Sequence, residues 1–253
     1  MSERDEFFIG YAPPMPTGLG RFIGRIVTGL VLGMLAWALV IASGHVTLEG
    51  GTFEFGHPQR FSGTIVERPY PALLLDGDDA SIPAPLLVAP GKHGADEVIR
   101  GLNGRRAVLI GTRIRRGILT MIEIEPQSVK LEERSVSDPG AAREAEPTIG
   151  DSVGFKGEVV DSKCFLGVMV PGSGKTHKDC ASLCLRGGIP PALHVQDRAG
   201  TTALMLLTNA SGEPVGANAV QVAGEPVEMN GILSREQEWL VLRTDPRTWH
   251  VFQ

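Results

Sequence analysis

One stretch of this chain concentrates the residue types that do chemistry. Residues 161–191 read DSKCFLGVMVPGSGKTHKDCASLCLRGGIPP and hold the three cysteines, Cys164, Cys180 and Cys184, with His177 among them. Thiolate sulfur and imidazole nitrogen together make a Cys3His set. Zinc takes such a set tetrahedrally, while the soft thiolates also suit copper(I) or an iron–sulfur centre. The same thiols have a second fate. In an oxidising compartment Cys164 would bridge to Cys180 or to Cys184 and pin one element to another. A bridge between Cys180 and Cys184 is disfavoured, because side chains one helical turn apart seldom meet disulfide geometry. One thiol is then left over. Beside Lys175, Lys178 and a protonated His177 its pKa would fall, with Asp179 partly opposing, and it would be reactive. Structural disulfide, metal ligands and reactive thiol are all open readings of these residues.

Other chemistries are excluded more firmly. PGSGKT resembles a phosphate-binding loop, but that loop needs a glycine where this chain has Met169, so no nucleotide is expected. Covalent haem would need Cys-x-x-Cys-His, which is absent. There is no nucleophile elbow, dinucleotide loop or recognisable acid/base carboxylate pair, so an enzyme is not the expected class. A net charge of −5 argues against nucleic-acid binding, which needs a basic footprint.

The elements that must position the cysteines follow from periodicity. Spacings of three and four put His177, Cys180 and Cys184 on one face of a helix. Gly187 or Gly188 would cap that helix, and Pro190 would block its continuation. Cys164 leaves the end of a strand, GEVVD. Around this segment short apolar runs alternate with turn residues: TFEF, FSGTIVE, ALLLD, PLLVAP, AVLIGTRI and LTMIEIE, then GFKGEVVD, PALHVQD, TTALMLLT, PVEMNGIL and EWLVLRT. These read as strands, with one short helix over residues 93–103. Within PALHVQD, His194 reads as a half-buried strand residue.

The two sets of strands resemble each other. Residues 61–67 (FSGTIVE) match residues 155–161 (FKGEVVD), and Gly104 and Gly111 match Gly224 and Gly231. The offset grows between the two matches, so the second unit carries an insertion, and all three cysteines lie in it. The expected fold class is therefore mostly β. It has a first OB-like barrel over residues 52–132, a linker without apolar periodicity over 133–150, and a second OB-like barrel with the Cys/His segment over 151–253. A β-sandwich is the competing architecture.

Residues 26–43 (IVTGLVLGMLAWALVIAS) carry no charge and are long enough, as a helix, to cross a bilayer. Arg4, Arg21 and Arg25 precede this run and the next basic residue is Arg60. The expected topology is a bacterial inner-membrane anchor with a cytoplasmic tail, residues 1–25, and periplasmic barrels. A cleaved signal peptide, cut near Ala42, Ser43 and Gly44, is the alternative. Gly29 and Gly33 would let a partner helix approach closely. The apolar, proline-rich tail around Tyr11, Pro13, Pro14 and Pro16 argues against regular helix over residues 7–22 and offers a docking segment.

The second unit resembles a group of bacterial exported domains of unknown function, which share Asp-Ser-x-Cys at a strand end and Cys-x-x-x-Cys on a short helix. The matching residues are Asp161, Ser162, Cys164, Cys180, Cys184 and Gly187. The resemblance implies an extracytoplasmic OB-like domain and brings no activity. The function expected from these features is a membrane-anchored accessory or assembly subunit of a larger, redox-active membrane complex, with other membrane subunits as partners. A metal-binding or thiol-redox protein is the alternative.

Overall fold

The structure is a computed structural model that describes residues 16–44, 50–77, 82–132 and 152–252. Tyr11, Pro13, Pro14 and the linker 133–150 lie outside the described residues. Two compact units are present, residues 1–49 and residues 50–253.

In the first unit a helix, α1, runs Thr17–Gly44. It begins well ahead of the uncharged run, so part of the segment expected to be irregular is helical. The physical reason is the position of Pro16. It stands just before the first turn, where a missing N–H costs nothing, and its carbonyl accepts from Gly20 N at 3.0 Å. The helix is long and apolar enough to cross a membrane by length and composition. Space is open where a side chain would grow from Gly29 or Gly33.

The second unit is mostly strand and contains two closed five-stranded barrels. The first comprises β1 (Gln59–Val66), β2 (Ala72–Leu75), β3 (Leu86–Ala89), β4 (Arg106–Arg116) and β5 (Leu119–Ile124). β1 pairs antiparallel with β2 and β4, β2 with β3, and β4 with β5. A parallel β3–β5 ladder closes the ring. A single-turn helix, α2 (Asp96–Ile99), is all that forms of the helix expected over 93–103.

The second barrel repeats this connectivity with β6 (Ser152–Asp161), β7 (Pro191–Gln196), β8 (Thr202–Thr208), β9 (Pro226–Glu236) and β10 (Trp239–Thr244). β6 pairs with β7 and β9, β7 with β8, and β9 with β10, and a parallel β8–β10 ladder closes it. Here too a short helix precedes the fourth strand, Gly216–Ala219. The sequence reading missed that helix because one turn shows no apolar periodicity and Gly216 and Asn218 are poor helix formers.

The matched glycines have matching tasks. A Cβ at Gly63 would lie 2.2 Å from Leu74 O, and one at Gly157 would lie 2.4 Å from His194 O. Gly104 (φ 71°) donates its N–H to Ile65 O at 2.8 Å, and Gly224 (φ 67°) donates to Val159 O at 2.8 Å. Each pair closes the same corner of its barrel in a conformation that favours glycine.

Each barrel encloses its own apolar interior, and a third apolar cluster lies between them. That shared cluster joins Leu86, Val88, Ile114 and Met121 of the first barrel to Leu206, Trp239 and Val241 of the second. Trp239 Nε1 donates to Ala84 O at 2.7 Å, and the Tyr70 hydroxyl donates to Leu207 O. The insertion between β6 and β7 adds Cys164, Phe165, Leu166, Cys184 and Ile189 to the same cluster. The cysteines therefore sit where the two barrels meet.

Candidate thiolate centre

The insertion opens at Asp161, the last residue of β6, and closes where Ser162 N donates to Pro190 O at 3.1 Å. The chain turns tightly at once. Asp161 Oδ1 accepts from Cys164 N at 2.8 Å, and a short wide turn over Cys164–Val168 aims the Cys164 thiol inward. Cys180 and Cys184 then come from α3, Lys178–Arg186. Gly188, with φ 91°, takes the left-handed position after that helix.

The three sulfurs converge. Their Sγ atoms all lie within 4.8 Å of one another, and Cys164 Sγ is 3.9 Å from Cys184 Sγ. All three thiols are free in this structure. Cys164 and Cys184 are buried and Cys180 is half-buried. His177 does not join them as one group of four. It ends a 3-10 turn just before α3, off the helical face expected for it, and its buried ring is directed to Asp161, with Nε2 2.9 Å from Oδ2. Asp161, Cys164 and His177 form a separate close group, so Cys164 belongs to both. The turn before His177 is held by Glu158, which accepts from Gly174 N at 2.5 Å.

The sequence reading missed Lys92. Its Nζ lies 2.8 Å from Cys180 Sγ and 3.9 Å from Cys184 Sγ. It reaches the thiols because the glycine turn after α3 docks on the first barrel. Gly94 N donates to Gly187 O at 2.8 Å, and a Cβ on Gly187 would lie 1.7 Å from Lys92 O. Only glycine permits that approach. Of the two lysines expected to act on the thiols, Lys178 pairs with Glu225 at 2.5 Å and Lys175 is exposed. No spacing rule links Lys92 to the cysteines, since the contact exists only once the barrels pack.

Electrostatics at the centre are asymmetric. The Cys164 thiol is pushed up by its hydrogen bond to Cys184, by burial and by Asp161. The Cys184 thiol is pulled down, chiefly by the S–H that Cys164 donates to it, with Lys92 assisting against burial. The Cys180 sulfur in turn raises the pKa of Lys92, keeping it an ammonium. Cys184 thus lies between the Cys164 thiol and the Lys92 ammonium.

No protein-family model, curated protein or solved structure matches this chain. The reading of the centre rests on its own geometry.

Lys163, beside Cys164, anchors the insertion. Its buried Nζ donates to Ala89 O at 3.0 Å and Gly91 O at 2.6 Å and pairs with Glu123. On the other side of Cys164, the Arg116 guanidinium lies 4.2 Å from the Phe165 ring centroid. The thiols are thus clamped to the first barrel on both sides of Cys164, and the glycine turn adds a third attachment.

Proposed function

We propose that this chain is a membrane-anchored accessory protein that holds a soft metal ion on Cys164, Cys180 and Cys184. One observation carries the proposal: the 3.9 Å between Cys164 Sγ and Cys184 Sγ within a closed triangle of sulfurs. A metal about 2.3 Å from each of three sulfurs sets them about 4 Å apart, whereas a disulfide draws two sulfurs to about 2.05 Å. Bridging Cys164 to Cys184 would also leave Cys180 stranded beside Lys92. Free cysteine sulfurs at this spacing, held from two elements, are the arrangement a soft ion needs once they ionise on binding it.

The surrounding readings belong to the same proposal. The strand connectivity, with a parallel closing ladder and a short helix before the fourth strand, supports an OB-like identity for both barrels. The apolar helix α1 supports anchorage in a bacterial inner membrane, and the flanking arginines support a periplasmic placement of residues 50–253. Gly29 and Gly33 supply a close-approach face for a second membrane helix. On this reading the protein works beside a larger membrane complex and serves it with the bound ion.

The test is metal analysis and thiol counting on full-length protein purified in detergent without chelators. A stoichiometric metal that protects three thiols, released together on chelation, supports the proposal. One free thiol per chain and no metal would establish the disulfide instead.

A further inference from the structure

From the geometry of the three sulfurs we infer that the centre is a three-coordinate site selective for a monovalent soft cation of the copper(I) class. This rests on the metal-binding reading above and specifies its ligand.

Among the described residues the three sulfurs form a group of three, without His177. Zinc in closed protein sites is almost always four-coordinate, and His177 was the expected fourth ligand. Its Nε2 is instead 2.9 Å from Asp161 Oδ2, in a pair whose side chains are 3% and 0% exposed. Asp161 is itself fixed by the Cys164 N–H. Turning His177 onto the sulfurs would break a buried pair and leave a carboxylate oxygen without its partner, a costly change. The histidine therefore serves as a positioning residue: it braces Asp161, which sets the turn that aims Cys164.

The Lys92 ammonium has donors only and no lone pair to offer a metal. It hydrogen-bonds Cys180 Sγ and lies 3.9 Å from Cys184 Sγ, so that side of the triangle holds a fixed positive charge in place of a ligand. Three soft donors, with the one imidazole grouped beside them among the described residues already held by Asp161, fit a trigonal thiolate complex of a soft monovalent ion.

The experiment loads full-length protein in detergent, reduced and under anaerobic conditions, with copper(I) or zinc(II) against a competing chelator for each. X-ray absorption then counts the scatterers. The expected result is one copper(I) per chain with three sulfurs and no nitrogen. His177→Asn should keep that stoichiometry, and Cys180→Ser should lose copper binding while keeping the far-ultraviolet circular dichroism of the parent. Lys92→Met should weaken copper(I) by about 10- to 100-fold, the usual effect of removing an outer-shell partner. Zinc bound with three sulfurs and one nitrogen, and lost in His177→Asn, would overturn the inference while leaving a metal-binding protein. Failure to retain either ion, with three thiols titratable, would overturn both.

Discussion

Lys92 Nζ of the first barrel lies 2.8 Å from Cys180 Sγ of the second. The contact joins two segments distant in sequence, and it marks Cys180 as the outermost thiol of the centre. Cys164 and Cys184 are 3% and 1% exposed, whereas Cys180 is only half-buried. A brief pulse of alkylating reagent on reduced, metal-free, folded protein should therefore label Cys180 first. The other two should follow only with unfolding, because reagent access is required as well as a thiolate. Mass spectrometry of the digested protein reads the order; equal labelling of all three cysteines in the native state would contradict the packing described.

Lys163 is the mechanical counterpart of Lys92. Its side chain is 2% exposed, pairs with Glu123 and donates to the carbonyls of Ala89, at the end of β3, and Gly91, in the turn that follows. Lys163→Met leaves a largely buried carboxylate and two acceptors unpaired, which should cost about 3–5 kcal/mol in denaturant unfolding. Pairing it with Glu123→Leu should restore part of that loss, since the stranded charge is gone. A single variant as stable as the parent would show that the clamp carries nothing.

Gly104 and Gly224 test the duplication. Both have positive φ and donate to the carbonyl two residues beyond the equivalent strand glycine, Gly63 or Gly157. Alanine at either should cost about 1–2 kcal/mol from backbone conformation alone. Gly224→Ala should cost more, because its Cβ would sit 3.0 Å from Lys178 Cα at the start of α3. Thermal melts of the two variants give the comparison; equal losses would mean that the helix shifts freely.

These glycines also explain what could be read from the sequence. Gly63, Gly104, Gly111 and their partners are dictated locally by backbone crowding or φ, so their spacing announced two like barrels and an insertion. The cysteine positions were legible for the same reason, being residue types with few other uses. His177 was assigned to the helical face with Cys180 and Cys184 because a spacing of three suits a helix. In the structure a 3-10 turn ends there, and a buried carboxylate directs the ring elsewhere. Lys92 was illegible, since its role depends on the Gly187 carbonyl meeting Gly94 across the barrel interface. Local pattern carries no information about that docking.

His194 reports on the same interface through pH. Its ring centroid lies 4.6 Å from that of Phe165 at a tilt of 47°, and burial, with Arg116 nearby, holds its pKa below the ordinary 6.5. Below that ordinary value the unfolded chain takes up a proton that the folded chain resists. This residue's contribution therefore falls as pH drops and levels off below the folded pKa. Melting temperatures measured between about pH 7 and 5 should decline more steeply for the parent than for His194→Gln. Parallel curves would place the acid sensitivity in other groups.

The compartment of the thiols depends on α1. Phe22, Met34, Trp37 and Leu39 are 61–72% exposed on this helix and give it a broad apolar surface. Water does not stabilise such a surface, and a bilayer does. Full-length protein should therefore stay in the membrane pellet after alkaline carbonate, while a chain lacking residues 17–44 should not. Substituting Val31→Lys and Leu35→Arg adds about 2.5–3.5 kcal/mol per charge near the helix centre and should release a measurable soluble fraction. The same full-length protein appearing in the supernatant without detergent would overturn the reading of α1 as a membrane anchor.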